Sequence, residues 1–138
     1  YTTLFRSLQY DDCDEEIALV RERYGVEIIK LPGIDLKNNF IDVAALMSCL
    51  DAVVSVGTAV IPLAGAVGVP TYLLASENTW TLLGADYPWF ESVHPITVPF
   101  GHSMSGALAK LPHPIPKKDM TTPNKAERTL ELSAVQPS

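Results

Sequence analysis

The sequence predicts an α/β fold, namely a Rossmann-like parallel sheet with helices on both faces. Short apolar segments rich in β-branched residues alternate with stretches of helical periodicity over the first hundred residues, and the connections between them are short. The segment 52–56 carries no polar residue before Ser55, which is typical of a strand covered on both faces in a parallel sheet. With 138 residues, of which 47% are apolar, the chain is long enough to bury one core.

The first part of the chain predicts a strand, a helix and a second short strand. Residues 3–9 alternate weakly between apolar and polar and are β-prone, whereas apolar residues recur at helical spacing over 13–24. Gly25 is suited to stop that helix, and residues 26–30 then form a strand. Three aspartates are candidate N-caps of the helix: Asp11, Asp12 and Asp14.

Four further elements continue the alternation: a helix over 42–49, a strand over 52–56, a helix over 59–67 and a strand over 71–75. Asp42 is placed to cap the first of these helices, and Gly68 and Pro70 end the second. A short strand over 96–98 and a short helix over 103–111 are also expected.

The chain is expected to be part of a longer protein. Its first residue is Tyr1 rather than Met, and a strand is already in progress within the first eight residues. We assign residues 1–111 to a partial Rossmann-like domain. Residues 112–138 are rich in proline, lysine and threonine with little periodicity, so they predict a mostly disordered tail.

Composition argues against several classes of partner. The net charge is −6, and residues 1–100 hold thirteen acidic residues against five Lys or Arg, whereas a nucleic-acid face needs clustered Lys and Arg. No apolar stretch reaches the ~18 residues needed to span a bilayer, and no leader segment precedes the first strand. We therefore expect no nucleic-acid partner, no membrane span and a cytoplasmic location.

Cysteine and histidine usage indicates neither a disulfide framework nor a metal site. Cys13 and Cys49 are too few and too far apart for either, and they fit reduced thiols. His94, His102 and His113 lack the spacing of metal ligands, so no metal and no cofactor are expected.

The junction after the segment 52–56 is the candidate binding site. Ligands of open parallel sheets lie beyond the carboxyl ends of the strands, where a helix N-terminus offers free amides to an anion. Gly57 would let a phosphate approach, Thr58 adds a hydroxyl and Ala59 keeps the backbone accessible. Equally, glycine could serve only the turn. The pattern is neither the dinucleotide fingerprint nor a P-loop.

Three stretches resemble a known family: SLQY at 7–10, NFIDVAALMSCLDAVVSVGTAVIPLAGAVGVPTYLL at 39–74 and PWFESV at 88–93. They are similar to the nucleotide-sugar-binding half of GT-B glycosyltransferases in the ADP-heptose:lipopolysaccharide heptosyltransferase-like group (glycosyltransferase family nine-like), which is often attached to tetratricopeptide repeats. The resemblance covers residues 4 to about 98 and implies a C-terminal donor domain, a truncated half of a GT-B fold.

The resemblance also implies which residues bind the donor. The turn of Gly57, Thr58, Ala59 and Val60 would receive the diphosphate of the nucleotide sugar, and Gln9 would lie on the same rim of the sheet. The implied reaction is hexosyl or heptosyl transfer with inversion and without a metal. Its catalytic base and acceptor site would belong to an N-terminal acceptor domain that this chain lacks, so the fragment alone is expected to be inactive.

Two departures from the family pattern favour an alternative. Gly57 stands where the family usually carries Asp, and Pro62 stands where it usually carries His, so two polar groups beside the diphosphate are lost. Asp42 matches the start of the family's DTAAL-like helix and could contact the nucleotide or cap its helix. The alternative function is a degenerate, non-catalytic binding or interaction module.

Two other features have competing interpretations. Trp80 and Trp89 could stack on a base or a sugar, or pack a loop against the sheet. The stretch 101–106 nearly matches the nucleophile elbow of α/β-hydrolases, with Ser103 as nucleophile and His113 as the available base. Ser105 occupies the position of the second glycine, which makes an esterase the less favoured hypothesis.

Overall fold

The computed structural model describes residues 3–116. The chain divides into two compact units, Tyr1–Cys49 and Leu50–Ser138, which are described separately below. Most of the predicted tail, residues 117–138, lies outside the described residues.

The first unit contains two parallel strands and two helices. Its elements are β1 (Phe5–Arg6), α1 (Asp14–Tyr24), β2 (Ile28–Ile29) and α2 (Phe40–Ser48). The strands pair in parallel, with Phe5 opposite Ile28. Both are shorter than the sequence predicts, because only two residues of each strand find partners in the ladder.

Helix α1 ends as predicted, but it begins differently. Gly25 adopts the left-handed conformation with φ of 66°, and its amide donates to the carbonyl of Arg21. At the other end Cys13 is the N-cap and its side chain makes no capping hydrogen bond to the helix, while the carboxylate of Asp12 accepts from the backbone amide of Asp14 at 3.1 Å. Asp12 is thus the one of the three candidate aspartates whose carboxylate bonds to a backbone amide at this end.

Helix α2 begins two residues earlier than predicted, and its N-cap is Asn39, so the prediction that Asp42 caps this helix was wrong. The side-chain oxygen of Asn39 accepts from the amide of Asp42 at 3.2 Å, and its side-chain nitrogen donates to the Asp42 carboxylate at 2.7 Å. Asp42 therefore occupies the third helical position of a reciprocal capping arrangement.

The second unit is a three-stranded parallel sheet with two helices. Its elements are β3 (Val53–Val56), α3 (Val60–Val67), β4 (Thr71–Ser76), β5 (Val93–Val98) and α4 (Ser105–Leu108). The strand order is β3-β4-β5. Strand β5 begins three residues earlier than predicted, because Val93 pairs with Thr71 at the start of β4.

Helices cover both faces of this sheet. Leu73 belongs to one buried cluster with Ile61 of α3, whereas Leu74 belongs to another with Ala107 of α4. Adjacent residues of a strand point to opposite faces, so α3 and α4 lie on opposite sides. Gly68 ends α3 in the left-handed conformation with φ of 79°. The predicted α/β class, with parallel strands and flanking helices in a Rossmann-like arrangement, is confirmed.

Strand β3 differs from its prediction of burial on both faces. Val54 pairs with Tyr72 and Val56 pairs with Leu74, so these four side chains share the face on which α4 lies. The side chains on β4 are buried, yet Val54 and Val56 are 38% and 47% exposed. Helix α4 has only four residues and packs on β4 and β5, which leaves this face of β3 open.

Candidate functional site

The candidate diphosphate site is the β3–α3 turn, defined as Gly57, Thr58, Ala59 and Val60. It lies at the carboxyl end of β3, in the second unit. The amide of Thr58 donates to the carbonyl of Val56 at 2.7 Å, and the carbonyl of Thr58 accepts from the amide of Ile61 at 3.1 Å. The Thr58 hydroxyl lies 3.4 Å from that of Ser55. The backbone amides of Thr58, Ala59 and Val60 are the candidate donors to a phosphate. One of these three amides, that of Thr58, is therefore used inside the turn.

The other two amides are available. Within residues 3–116, neither the amide of Ala59 nor that of Val60 makes a hydrogen bond. Helix α3 has no side-chain cap at its N-terminus, and its first turn contains no acidic residue. These amides lie at the positive end of the helix dipole, and no acidic side chain in the first turn of the helix offsets that charge.

Gly57 is not required by the packing of the protein. Its φ lies outside the left-handed region, and a Cβ added to it would meet no atom within 4 Å. The residue is exposed. The open space beside Gly57 is therefore available to a ligand, and a methyl group at this position would occupy it without disturbing the fold.

Pro62 lies in the first turn of α3, where its missing amide hydrogen removes no helical bond. The ring is exposed. This departure from the family pattern is compatible with the helix, and it leaves the turn without an imidazole at that position.

A groove adjoins the turn at the carboxyl edge of the sheet. This strand-end groove has a volume of about 410 Å³. Its wall includes Val56 and Gly57, the ends of β4 and the segment after it, and residues that follow β5. The lining residues beyond the turn that carry polar or aromatic side chains are Ser76, Glu77, Asn78, Thr79, Trp80, Thr81 and Phe100.

Most of this groove was not predicted from the sequence. Strands β3, β4 and β5 run parallel, so β4 and β5 end at the same edge of the sheet as the turn. The residues that follow these strands therefore lie along that edge. The run of Ser76, Glu77, Asn78 and Thr79 directly after a buried strand was a usable signal, because polar residues at that position follow the carboxyl end of a strand.

Gln9 belongs to the first unit, whereas the β3–α3 turn belongs to the second. Gln9 is exposed, and its backbone amide donates to the hydroxyl of Ser7 at 3.3 Å. It lines a groove of about 470 Å³ at the carboxyl ends of β1 and β2. That groove also contains the ion pair between Lys30 and Asp14, 2.6 Å long, and this hydrogen bond raises the pKa of the Lys30 ammonium.

Asp42, the other residue that the resemblance connects with the nucleotide, lies in the first turn of α2. Its carboxylate accepts from the side chain of Asn39 and its backbone amide donates to the side-chain oxygen of Asn39, so both groups are engaged by the N-cap residue of α2.

Ser103 lies in the loop between β5 and α4. Its hydroxyl accepts from the amide of Ser105 at 3.2 Å and lies 2.9 Å from the Ser105 hydroxyl. Among the described residues its side-chain hydrogen bonds go to this neighbour alone, and none joins it to His113. The arrangement is a local turn that precedes a short helix.

Comparison with known proteins gives one extended relationship. The chain is 50% identical to Protein FlbA of Caulobacter vibrioides over 91 residues, which represent 65% of this chain and 15% of FlbA. The match thus spans about one seventh of that longer polypeptide. No protein-family profile matches the chain. No solved structure matches it either. Over residues 3–116, no helix is both long enough and apolar enough to cross a bilayer.

Proposed function

We propose that the chain is the donor-binding domain of a glycosyltransferase, and that the β3–α3 turn binds the diphosphate of a nucleotide sugar. The observation that carries this proposal is the pair of unpartnered amides of Ala59 and Val60 at an uncapped helix N-terminus. They lie beyond the carboxyl ends of parallel strands, where ligands of such sheets bind. The resemblance of residues 39–74 to the heptosyltransferase-like group supplies the identity of the anion.

The turn would act on the leaving group. When the bond between sugar and diphosphate breaks, negative charge grows on the diphosphate oxygens, and preorganised amides and a helix dipole stabilise that charge. The Thr58 hydroxyl is a third donor, because it lies 3.4 Å from Ser55 and can turn toward a ligand. This transfer would proceed with inversion and without a metal. The base and the acceptor site would come from an N-terminal acceptor domain, so this domain binds donor but does not turn it over alone.

Two substitutions at the turn test the proposal. Titration calorimetry would follow ADP, UDP and GDP binding to the chain, to Gly57→Ala and to Thr58→Val. The added methyl of Gly57→Ala meets no protein atom within 4 Å, so any loss of affinity reports the ligand rather than the fold. We expect binding to weaken about tenfold or more in each variant, because Thr58→Val loses one hydrogen bond to a charged group and the methyl of Gly57→Ala occupies the space through which the phosphate would approach.

Gly106→Ala is the matched control, because it makes the same change in α4 with the new carbon at an ordinary 3.4 Å from Val98. It should bind like the wild-type chain. If none of the three nucleotides binds at millimolar concentration, the donor-domain proposal is wrong.

A second candidate is a non-catalytic module that kept the fold and lost the reaction. It is favoured by the hydrogen bond from the Thr58 amide to the Val56 carbonyl, which removes one donor from the turn, and by Gly57, which stands where the family pattern has Asp. The full-length polypeptide decides between the two. A glycosyltransferase releases nucleoside diphosphate from its nucleotide sugar in the presence of acceptor, whereas a binding module retains affinity without release.

We also propose that this domain lies in the cytoplasm. Both cysteines, Cys13 and Cys49, are free thiols, as proteins of a reducing compartment usually have. Cell fractionation with an antibody against the full-length protein would test that location.

A further inference from the structure

Two large aromatic side chains of the strand-end groove are almost fully exposed. Trp80 is 91% exposed and Phe100 is 88% exposed, and both line the groove beside Gly57. Rings of this size bury 150–250 Å² when they pack, so leaving them in water forgoes a large hydrophobic stabilisation. Exposed aromatics on the wall of a groove are typical of binding sites.

The exposure of Trp80 does not result from a loosely attached segment. The connection between β4 and β5 is anchored by Leu82, Tyr87 and Phe90, which pack against the core cluster around Leu73. Burial also raises the pKa of the Tyr87 phenol, in agreement with this packing.

Backbone geometry holds the same connection in place. Leu83 and Asp86 exchange two backbone hydrogen bonds of 2.9 and 3.2 Å, and Asn78 adopts a left-handed conformation with φ of 59°. Because its neighbours are fastened to the sheet in this way, the indole of Trp80 is presented to solvent at a defined place.

The polar side chains of the groove select the chemistry of the ligand. Among the lining residues none is Lys, Arg or His, so the groove itself offers no cation for a phosphate. Glu77 adds a negative charge, and the remaining polar groups are hydroxyls and one amide from Ser76, Asn78, Thr79 and Thr81. Carboxylate and hydroxyl groups accept hydrogen bonds from hydroxyls, and aromatic faces attract the C–H groups of a sugar ring. A neutral ring rich in hydroxyls fits this lining.

We propose that the strand-end groove is a carbohydrate subsite, in which Trp80 stacks on the sugar of the donor and Glu77 accepts hydrogen bonds from its hydroxyls. This inference rests on the proposed donor site, because Gly57 belongs to both the turn and the groove wall. A diphosphate at the turn would place the sugar it carries beside the groove. The turn thus binds the charged part of the ligand and the groove binds the uncharged part.

Paired ligands separate the two sites. Titration calorimetry would compare UDP with UDP-glucose, ADP with ADP-glucose and GDP with GDP-mannose on the wild-type chain, Trp80→Ala and Glu77→Gln. For at least one pair the nucleotide sugar should bind more tightly than the diphosphate. Trp80→Ala should weaken that nucleotide sugar about tenfold and leave its diphosphate unchanged. Glu77→Gln should act in the same direction with a smaller effect.

Trp89→Ala is the matched control, because Trp89 is also exposed, at 70%, but does not line the groove. It should bind both members of each pair normally. In a Trp89→Phe background Trp80 is the remaining tryptophan of the chain, so its fluorescence should shift to the blue and become protected from acrylamide when the nucleotide sugar binds.

The failures of the two proposals are distinguishable. If Trp80→Ala weakens diphosphate and nucleotide sugar equally, or neither, the carbohydrate subsite is wrong while donor binding at the turn stands. Absence of any preference for nucleotide sugars over diphosphates has the same meaning. If no diphosphate and no nucleotide sugar binds, both proposals fall together.

Discussion

Replacing Gly65 with alanine tests the packing of α3 against the segment that carries Trp80. A Cβ built on Gly65 would lie 2.5, 2.6 and 2.9 Å from Cδ2, Cγ and Cβ of Phe90, whereas carbon atoms in contact are normally about 3.5–4.0 Å apart. The Phe90 Cβ is fixed close to its own backbone, so rotation of the ring cannot relieve the overlap and the backbone must shift. Overpacking of this kind costs about 3 kcal/mol at the upper end of its range.

Part of that cost is offset, because alanine in a helix interior is favoured over glycine by about 1 kcal/mol. We therefore expect Gly65→Ala to lower the free energy of unfolding of the second unit by about 2 kcal/mol, and its melting temperature by about 10 °C. Both tryptophans lie in this unit, so urea denaturation followed by tryptophan fluorescence reports it.

Two controls separate overlap with Phe90 from other effects. Gly106→Ala, with its new carbon 3.4 Å from Val98, should be neutral or slightly stabilising. A Phe90→Ala background removes the contacts of 2.5 and 2.6 Å and keeps the one with Cβ at 2.9 Å, so Gly65→Ala should then cause a much smaller loss. The reasoning is refuted if Gly65→Ala is harmless in the wild-type chain, or if it destabilises both backgrounds to the same extent.

Two further predictions concern the first unit. Asn39→Ala removes both hydrogen bonds to Asp42 and should destabilise α2 by about 1 kcal/mol. Amide hydrogen exchange in that helix should become faster, and unchanged exchange would show that the cap contributes nothing. The pKa of the Asp35 carboxyl lies below its ordinary value of 3.8 because the Asn38 side chain and the backbone amides of Asn38 and Lys37 donate to it. The stabilisation that these bonds give the folded chain is therefore present above pH 3.8 and is lost as the pH falls through the lowered pKa. Carboxyl NMR titration of Asn38→Ala should give a higher pKa for Asp35, and an unaltered titration would contradict this cause.

The alternation of segments determined the class of the fold. Apolar stretches of strand length and helical stretches joined by short turns leave few arrangements besides a parallel α/β sheet, because parallel neighbours need a crossover connection, which a helix supplies between β1 and β2 and between β3 and β4. The ends of α1 and α3 were also predictable, since Gly25 and Gly68 adopt a left-handed conformation that few other residues tolerate. These are local properties of the chain.

Features that depend on residues far apart in sequence came only from the tertiary structure. The apolar composition of β3 predicts burial on both faces, yet Val54 and Val56 are exposed because α4 is too short to cover them. The N-cap of α2 also could not be assigned from residue types, because Asn and Asp are both favoured at this position. Asn39 is the N-cap because it has a non-helical conformation, with φ of −102° and ψ of 78°.

The candidate site shows the same division. Its position was readable in the sequence, because Gly57, Thr58 and Ala59 follow a strand and open a helix. The use of the Thr58 amide by Val56 and the freedom of the next two amides depend on backbone angles that the residue types do not specify. The groove beside the turn exists because parallel register brings the ends of β4 and β5 to the same edge, so that Trp80 and Phe100, twenty residues apart in the chain, line one cavity.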